Sequence, residues 1–481
     1  MIFLVSKNNS LFESEIYKRL SIEDALAEVS SWDCIQFDTE TSGRDAHICN
    51  ILCYQLGNDT VDKRIVVDAL SYPVSLFKEL LETKLIIGHN LKFDIQFLYK
   101  YQIIPTKVWD TMIVEQLLHL GFSSATFKVS LKEVTHRRLN VDMDKSTRGE
   151  IIWRGLDEKV ILYAAYDVVY LEQIYKQQLK ECNYTKCLNG AKLENTFVPV
   201  IAYMEWCGIH LDVQKWTSKM KKDQELYNNA LNALDSWAVK YGQEHPKFPK
   251  MYKIPEPFLF EEMNTGPECT INWSSSQQVI PIMEALGFKV DDEDKKTGKS
   301  KKSVQEKVIA KQKGINDEFL KLYLDVKQTK IVCDTFGQKY IDSINPITGR
   351  IHTTFKQLGA SSGRMSCGST QENTDLKKYK HLSKGNCTYP QLQNLPSDHE
   401  TRMAFTPISG NLMASADYSA LESRLGADIY NEESMLEEYL EGSGDIHSLT
   451  AKHIFKELKD VPVKEIKARY PDLRKKAKPV E

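Results

Sequence analysis

The chain has 481 residues, enough for about three domains of ~150 residues each. With 27% charged and 42% hydrophobic residues and a net charge of −3, its composition is ordinary for a globular protein. Bulk charge gives no signal for a nucleic-acid partner, so any such surface must be local. Ten cysteines without a CxxC pair argue for reduced thiols rather than a disulfide framework or a zinc site, and Cys182 and Cys187 lack a second ligand pair. The opening MIFLVSKNN holds only a short apolar run, too short for a signal peptide, and no run approaches the ~20 apolar residues of a membrane span.

Residues 34–37, 51–56, 64–68 and 84–88 are predicted strands. Helical patterns follow at 91–101 and 110–120, and a longer one covers 157–179. This alternation predicts an α/β layer fold over residues 1–185. From Leu193 the pattern turns long and helical, over 193–207 and 213–241. The stretch 291–313 carries Lys295, Lys296, Lys299, Lys301, Lys302, Lys307, Lys311 and Lys313. A solvated charged loop and helix or a phosphate-tracking arm would both explain it. Short β-like pieces return at 350–355 and 412–416, and the last fifty residues are helical, turning basic at 474–478.

Three groups of residues carry chemistry in the first third. Asp38-Thr-Glu40 puts two acids two apart at the end of a strand, so both can face one cation. Hard ions such as Mg²⁺ take carboxylate oxygens and keep waters. Gly88-His-Asn90-Leu-Lys-Phe-Asp94 follows a strand and opens a helix, with Asn90 at the N-cap position and Asp94 four residues on. Tyr163-Ala-Ala-Tyr-Asp167 repeats the four-residue spacing inside the 157–179 helix. Each piece alone has a plain explanation: a solvated strand end, a capped helix, a packed tyrosine.

In this order, the three pieces resemble the ribonuclease-H-like proofreading exonucleases with four metal-site acids and a tyrosine. The resemblance implies that Asp38, Glu40 and Asp167 hold metal. Asp94 would support a second ion through water, Asn90 would touch DNA, and Tyr163 would orient the attacking water. Two Mg²⁺ ions, replaceable by Mn²⁺, are implied for the site. Two cations about 3.5–4 Å apart activate water and stabilise a leaving 3′-oxygen, and several carboxylates are needed to hold them beside a phosphodiester. A phenol is a poor base near neutral pH, so Tyr163 would leave most of the water activation to metal.

A second ordered set follows. It comprises the 193–212 segment ending Met204-Glu-Trp-Cys-Gly208-Ile-His-Leu-Asp212, then Thr348-Gly-Arg350-Ile-His352 and Ser362-Gly-Arg364-Met-Ser366. Pro390-Gln-Leu-Gln393-Asn394-Leu-Pro396 and Ala416-Asp417-Tyr-Ser-Ala-Leu-Glu422-Ser-Arg424 complete it. Together these are similar to family A, polymerase-I-type DNA polymerases. The resemblance implies an α/β ribonuclease-H-like exonuclease domain followed by a mostly helical thumb and a partial α+β palm. Exonuclease would cover 1–185, thumb 186–345, partial palm 346–430 and the start of the fingers 431–481. Asp417, at the end of a 412–416 strand, would be a catalytic metal ligand, and Glu422 would sit under the incoming sugar. Arg364, Gln393 and Asn394 would contact primer–template DNA without reading its sequence. His447, Arg474 and Lys478 would face the phosphates of a dNTP.

This sequence departs from the family at Ala420, Leu421 and Ser423, where Gln, Ile and Leu are usual. The 366–390 link is also long and carries Lys377, Lys378, Lys380 and Lys384. The chain stops within the fingers motif, before the later His-Asp-Glu hairpin that supplies a second palm carboxylate. Asp398-His-Glu400 does not replace it. The expectation is therefore a truncated polymerase, complete only in its exonuclease, with single-stranded 3′ ends as substrate. It would use dNTP only when completed by a C-terminal polymerase fragment, and it would have no membrane partner. The alternatives are a stand-alone exonuclease with a vestigial palm, or the non-catalytic DNA-binding part of a split polymerase. The setting implied is the cytoplasm of a bacterium or of a phage-infected host.

Overall fold

The computed structural model describes residues 1–11, 13–122, 127–144, 150–255, 266–293, 300–312, 314–370 and 388–478. The early apolar runs form a seven-stranded sheet of β1 (Ile2–Val5), β2 (Tyr17–Arg19), β3 (Cys34–Thr41), β4 (Ile51–Asn58), β5 (Lys63–Asp68), β6 (Leu85–Gly88) and β7 (Val108–Asp110). Its order is β2-β1-β5-β4-β3-β6-β7. β4 runs antiparallel to both β3 and β5, whereas β6 is parallel to β3 and β7 to β6. The five strands β5-β4-β3-β6-β7 thus have the ribonuclease-H-like arrangement that the resemblance implies.

Alternation along the strands sorts side chains between two cores. On one face Ile35, Phe37, Tyr54, Leu56, Ile65 and Ile86 pack with Leu91, Ile95 and Leu98 of α1 (Leu91–Tyr99). On the other, Leu4, Cys53 and Val66 meet Val160, Ile161, Ala164 and Ala165 of α3 (Glu158–Val169). Full burial of Phe37, Leu56 and Ile65 contributes roughly 1.5–3 kcal/mol apiece. In chain order α2 (Thr111–Leu118), begun by Asp110, comes between α1 and α3.

The single helix expected over 157–179 is two, α3 and α4 (Leu171–Tyr184), joined at Tyr170. The break has local partners. Val169 O accepts from the Arg64 guanidinium at 3.4 Å, while Glu172 takes the Asp59 N–H at 3.0 Å and the Gln36 amide at 3.2 Å.

Beyond the sheet come α5 (Leu188–Cys207), α6 (Val213–Glu244) and α7 (Asp317–Thr335). α6 and α7 pack along each other over a core containing Trp237, Trp273, Phe319 and Tyr323. In the lysine-bearing stretch, Asp291–Glu293 pairs antiparallel with Ser300–Lys302. Lys302 and Lys307 are ion-paired with Glu284 and Asp292. Lys295, Lys296, Lys299 and Lys313 lie outside the described residues, as do Lys377, Lys378, Lys380 and Lys384. The β-like piece at 350–355 is mostly single bridges, from Ile351 to Ile209 and Ile344. A short strand, Phe355–Lys356, then pairs with Ser366–Cys367.

Met1–Ile408 is one compact unit and Ser409–Glu481 a second. The second holds α8 (Leu421–Tyr430), α9 (Ile446–Ile454) and α10 (Pro471–Ala477), with a small core of Ala451, Leu458, Ile466 and Ala477. The strand expected at 412–416 is absent. A strand exists only where a neighbour takes its backbone hydrogen bonds. No described residue pairs with this segment, and Leu412 is 96% exposed. Among the described residues no helix is long and apolar enough to cross a membrane.

Candidate active site

In β3, the even-numbered residues 34, 36, 38 and 40 point to the α3 side, because Ile35 and Phe37 fill the opposite core. Asp38 and Glu40 therefore face α3, and Asp167 on that helix turns towards them. Carboxylate oxygens of Asp38, Glu40 and Asp167 all lie within 4.8 Å of one another. Like charges so close repel strongly where water is scarce, and a hard dication is what this all-oxygen set fits.

Asp94 reaches the same strand from the other helix. It is 2% exposed, and its Oδ1 accepts from the Thr39 N–H at 3.0 Å and the Thr39 hydroxyl at 2.6 Å. Burial first, and then the charge of Asp38, push the Asp94 carboxyl well above the usual range. Asp94 is thus placed beside the three-carboxylate group rather than within it. Tyr163 lines the same cleft, of about 1820 Å³, as do Asn90 and all four acids.

The approach of α1 to β3 depends on Gly88. A Cβ there would lie 2.2 Å from Leu91 Cδ2 and 3.0 Å from the Phe37 carbonyl. Asn90 does stand at the N-cap of α1, in the left-handed region at φ 63°, but its side chain makes no capping hydrogen bond. Asp110 replaces it, accepting from Asn90 N at 2.9 Å and Leu91 N at 2.8 Å. The same carboxylate caps α2 through Met112 N and Ile113 N. Burial raises Asp110 to about 6 against these four donors.

Sequence reasoning passed over Asp110 and Thr39 as site-building residues. For Asp110 the signal was there, an acid between a strand and an apolar helix. For Thr39 there was none beyond its place between two acids. Glu205 of α5 was also missed, and its partners lie more than 100 positions away in the chain.

Elsewhere in the first unit, Arg364, Gln393 and Asn394 are exposed. The Gln393 amide donates to Met365 O at 3.3 Å, which sets the 390–396 loop beside the Ser362-Gly-Arg364 turn. Asp398 serves as the N-cap of the short helix His399–Met403 and Glu400 pairs with Lys222, so the Asp-His-Glu triplet has structural partners. In the second unit, Asp417 lies exposed in a segment without regular secondary structure, and Glu422 in the first turn of α8. Arg474 of α10 pairs in bidentate fashion with Asp445, at 2.8 and 3.0 Å, and Asp445 caps the helix bearing His447. Lys478 is exposed at the end of α10.

An α/β exonuclease fold with a clustered carboxylate site, continued by a helical region, defines the class. Comparison with known proteins agrees. A family model described as 3′–5′ exonuclease matches residues 15–183, and one described as DNA polymerase family A matches 259–375 and 381–481. The chain is 25% identical over 451 residues to DNA polymerase I of Aquifex aeolicus, covering 89% of this chain and 65% of that one. It is 26% identical to DNA polymerase I of Borreliella burgdorferi, covering 97% of this chain and 46% of that one. A DNA polymerase of Mycobacterium phage L5 is 24% identical, covering 87% and 65%. A solved structure of the POL domain of Pol1 from M. smegmatis, in complex with DNA primer-template and dNTP, shares the fold at a TM-score of 0.69. It has 18% identity and covers 98% of this chain and 70% of that one. The chain belongs to the family A DNA polymerases, with a 3′–5′ exonuclease domain preceding the polymerase region. It spans about half to two thirds of the length of these curated relatives.

Proposed function

We propose that the N-terminal domain removes nucleotides from the 3′ end of single-stranded DNA by two-metal hydrolysis, as the proofreading partner of a DNA-templated polymerase region. The observation that carries this reading is the meeting of Asp38, Glu40 and Asp167 oxygens within 4.8 Å in an open cleft. These three would hold divalent metal, Mg²⁺ or Mn²⁺, with Asp94 supporting a second ion. Bound there, the metal supplies Lewis-acid activation of water and neutralises charge on the leaving oxygen. Tyr163 orients the water by a hydrogen bond, since a phenol is a poor base near neutrality. Asn90, on the cleft wall, contacts the DNA strand.

In the polymerase region the family relationship supports primer–template DNA and dNTP as ligands, the pair named for the M. smegmatis structure. Arg364, Gln393 and Asn394 form the duplex contact, and Asp417 is the metal ligand with Glu422 beside the sugar. His447, Arg474 and Lys478 serve the phosphates. Arg474 would exchange Asp445 for a phosphate oxygen, a like-for-like anionic partner.

The test is metal removal. Chain stripped with EDTA should leave a single-stranded oligonucleotide intact, and added Mg²⁺ should restore shortening. Shortening that continues without any divalent ion would refute the metal-dependent reading.

A further inference from the structure

Glu205, near the end of α5, is 5% exposed and takes four donors from two separate segments. From α1 come Lys92 Nζ at 2.6 Å and the Gln96 amide at 2.6 Å. From the segment entering the Phe355–Lys356 strand come the Phe355 N–H at 2.5 Å and the Thr354 hydroxyl at 3.3 Å. Lys92 Nζ also donates to Phe355 O at 2.5 Å. The backbone of one residue is therefore gripped from both sides by a mostly buried ion pair, with Lys92 18% exposed.

The placement of these donors on α1 matters. Lys92 and Gln96 are four apart and share one face. Asp94 lies between them, about 200° round the helix from Lys92, and points the other way. α1 is thus held on opposite sides, by Thr39 through Asp94 and by Glu205 through Lys92 and Gln96. A buried ion pair is weak evidence of stabilisation, because its desolvation offsets the attraction; its better-attested use is to fix one arrangement. Here the arrangement fixed is the helix that carries Asp94.

We propose that Glu205 is a positioning residue for the exonuclease site, setting Asp94 through Lys92 and Gln96 while locking α1 to the segment that leads into the Ser362-Gly-Arg364 turn. The proposal rests on the exonuclease reading given above. An Asp94 carboxylate that drifts by a fraction of an ångström binds metal less well. Rate and metal requirement should then shift together.

The experiment measures degradation of a single-stranded oligonucleotide by the full chain at several Mg²⁺ concentrations. Wild type, Asp38→Ala, Glu205→Gln and the apolar pair Lys92→Met/Glu205→Met are compared, with thermal unfolding of each. The double variant removes both charges together, so no buried ion is left unpaired if Glu205→Gln fails to fold. The expected result is a fall in kcat of about tenfold and a rise of severalfold in the Mg²⁺ needed for half-maximal rate. If wild type is active and Asp38→Ala is not, but the folded Glu205 variants keep the wild-type kcat and Mg²⁺ midpoint, the proposal is overturned alone. A lowered unfolding temperature with an unchanged Mg²⁺ midpoint overturns it too, because it reduces Glu205 to a structural strut. If wild type degrades nothing, or Asp38→Ala is as active as wild type, it is the exonuclease reading that fails.

Discussion

Asp94 accepts two hydrogen bonds from a single residue, the N–H and the hydroxyl of Thr39, and so ties α1 to the strand that carries Asp38 and Glu40. Thr39→Val keeps the branched shape and the N–H bond but removes the hydroxyl. Loss of one buried hydrogen bond should lower stability by about 1 kcal/mol. Exonuclease rate should fall by more than that loss explains, because Asp94 is left with one tether. Urea unfolding and single-strand degradation measured on the same variant check this; an unchanged rate would show that the hydroxyl does not place Asp94.

Asp110 caps α1 and α2 together, so its loss should be felt at both helix starts. Asp110→Ala leaves four N–H groups without that acceptor, and a destabilisation of about 2–4 kcal/mol is expected. The pH dependence has a definite sign. Burial raises this carboxyl from 3.8 to about 6, so the folded state holds the proton more tightly than the unfolded chain. The resulting stability is fully present below about pH 4 and is lost as the pH rises through about 6. Wild type should therefore gain on Asp110→Asn as the pH falls from 7.5 to 4.5, with an upper limit of about 3 kcal/mol. Urea midpoints of the two proteins at both pH values test it, and a gap that narrows on acidification would contradict it.

Gly88→Ala puts a methyl group into Leu91 and close to the Phe37 carbonyl. Leu91 is fully buried and has little room to yield, so overpacking of about 1–3 kcal/mol is expected. The displaced start of α1 should also carry Asp94 away from Thr39, lowering exonuclease rate at temperatures where the variant is still folded. Circular dichroism melting alongside the degradation assay separates the two effects.

Much of this was legible in the chain itself. Alternation in 34–40 was enough to put Asp38 and Glu40 on one face, and the four-residue spacing of Tyr163 and Asp167 was enough to pair them on a helix. Local periodicity could not reveal what holds those elements together. Asn90 has the composition of a cap, yet the cap is Asp110, twenty positions on, because the left-handed turn at Asn90 brings its own N–H to that buried carboxylate. Tyr170 reads as helix interior, but Arg64 and Asp59 supply partners that only the folded sheet brings near. Residues 412–416 have strand composition, yet a strand needs a neighbour and no described residue supplies one.

Arg364 stands exposed beside the loop carrying Gln393 and Asn394. If it grips a phosphate of the duplex, Arg364→Ala should weaken primer–template binding about tenfold and reduce the salt slope by about 1, without altering degradation of short single strands. Fluorescence anisotropy at several salt concentrations reads both quantities. Weaker binding with the slope unchanged would point away from a phosphate contact.

The central claim is that Asp38, Glu40 and Asp167 form a hydrolytic centre acting at 3′ ends. It is met most directly by following a 5′-labelled single-stranded oligonucleotide over time with enzyme in excess and Mg²⁺ present. Wild type should produce a ladder that shortens one nucleotide at a time from the 3′ end, and Asp38→Ala and Asp167→Ala should each slow it by at least about a thousandfold while still binding the strand. A ladder of the same rate in either variant, or internal cuts in place of a 3′ ladder, would contradict the account.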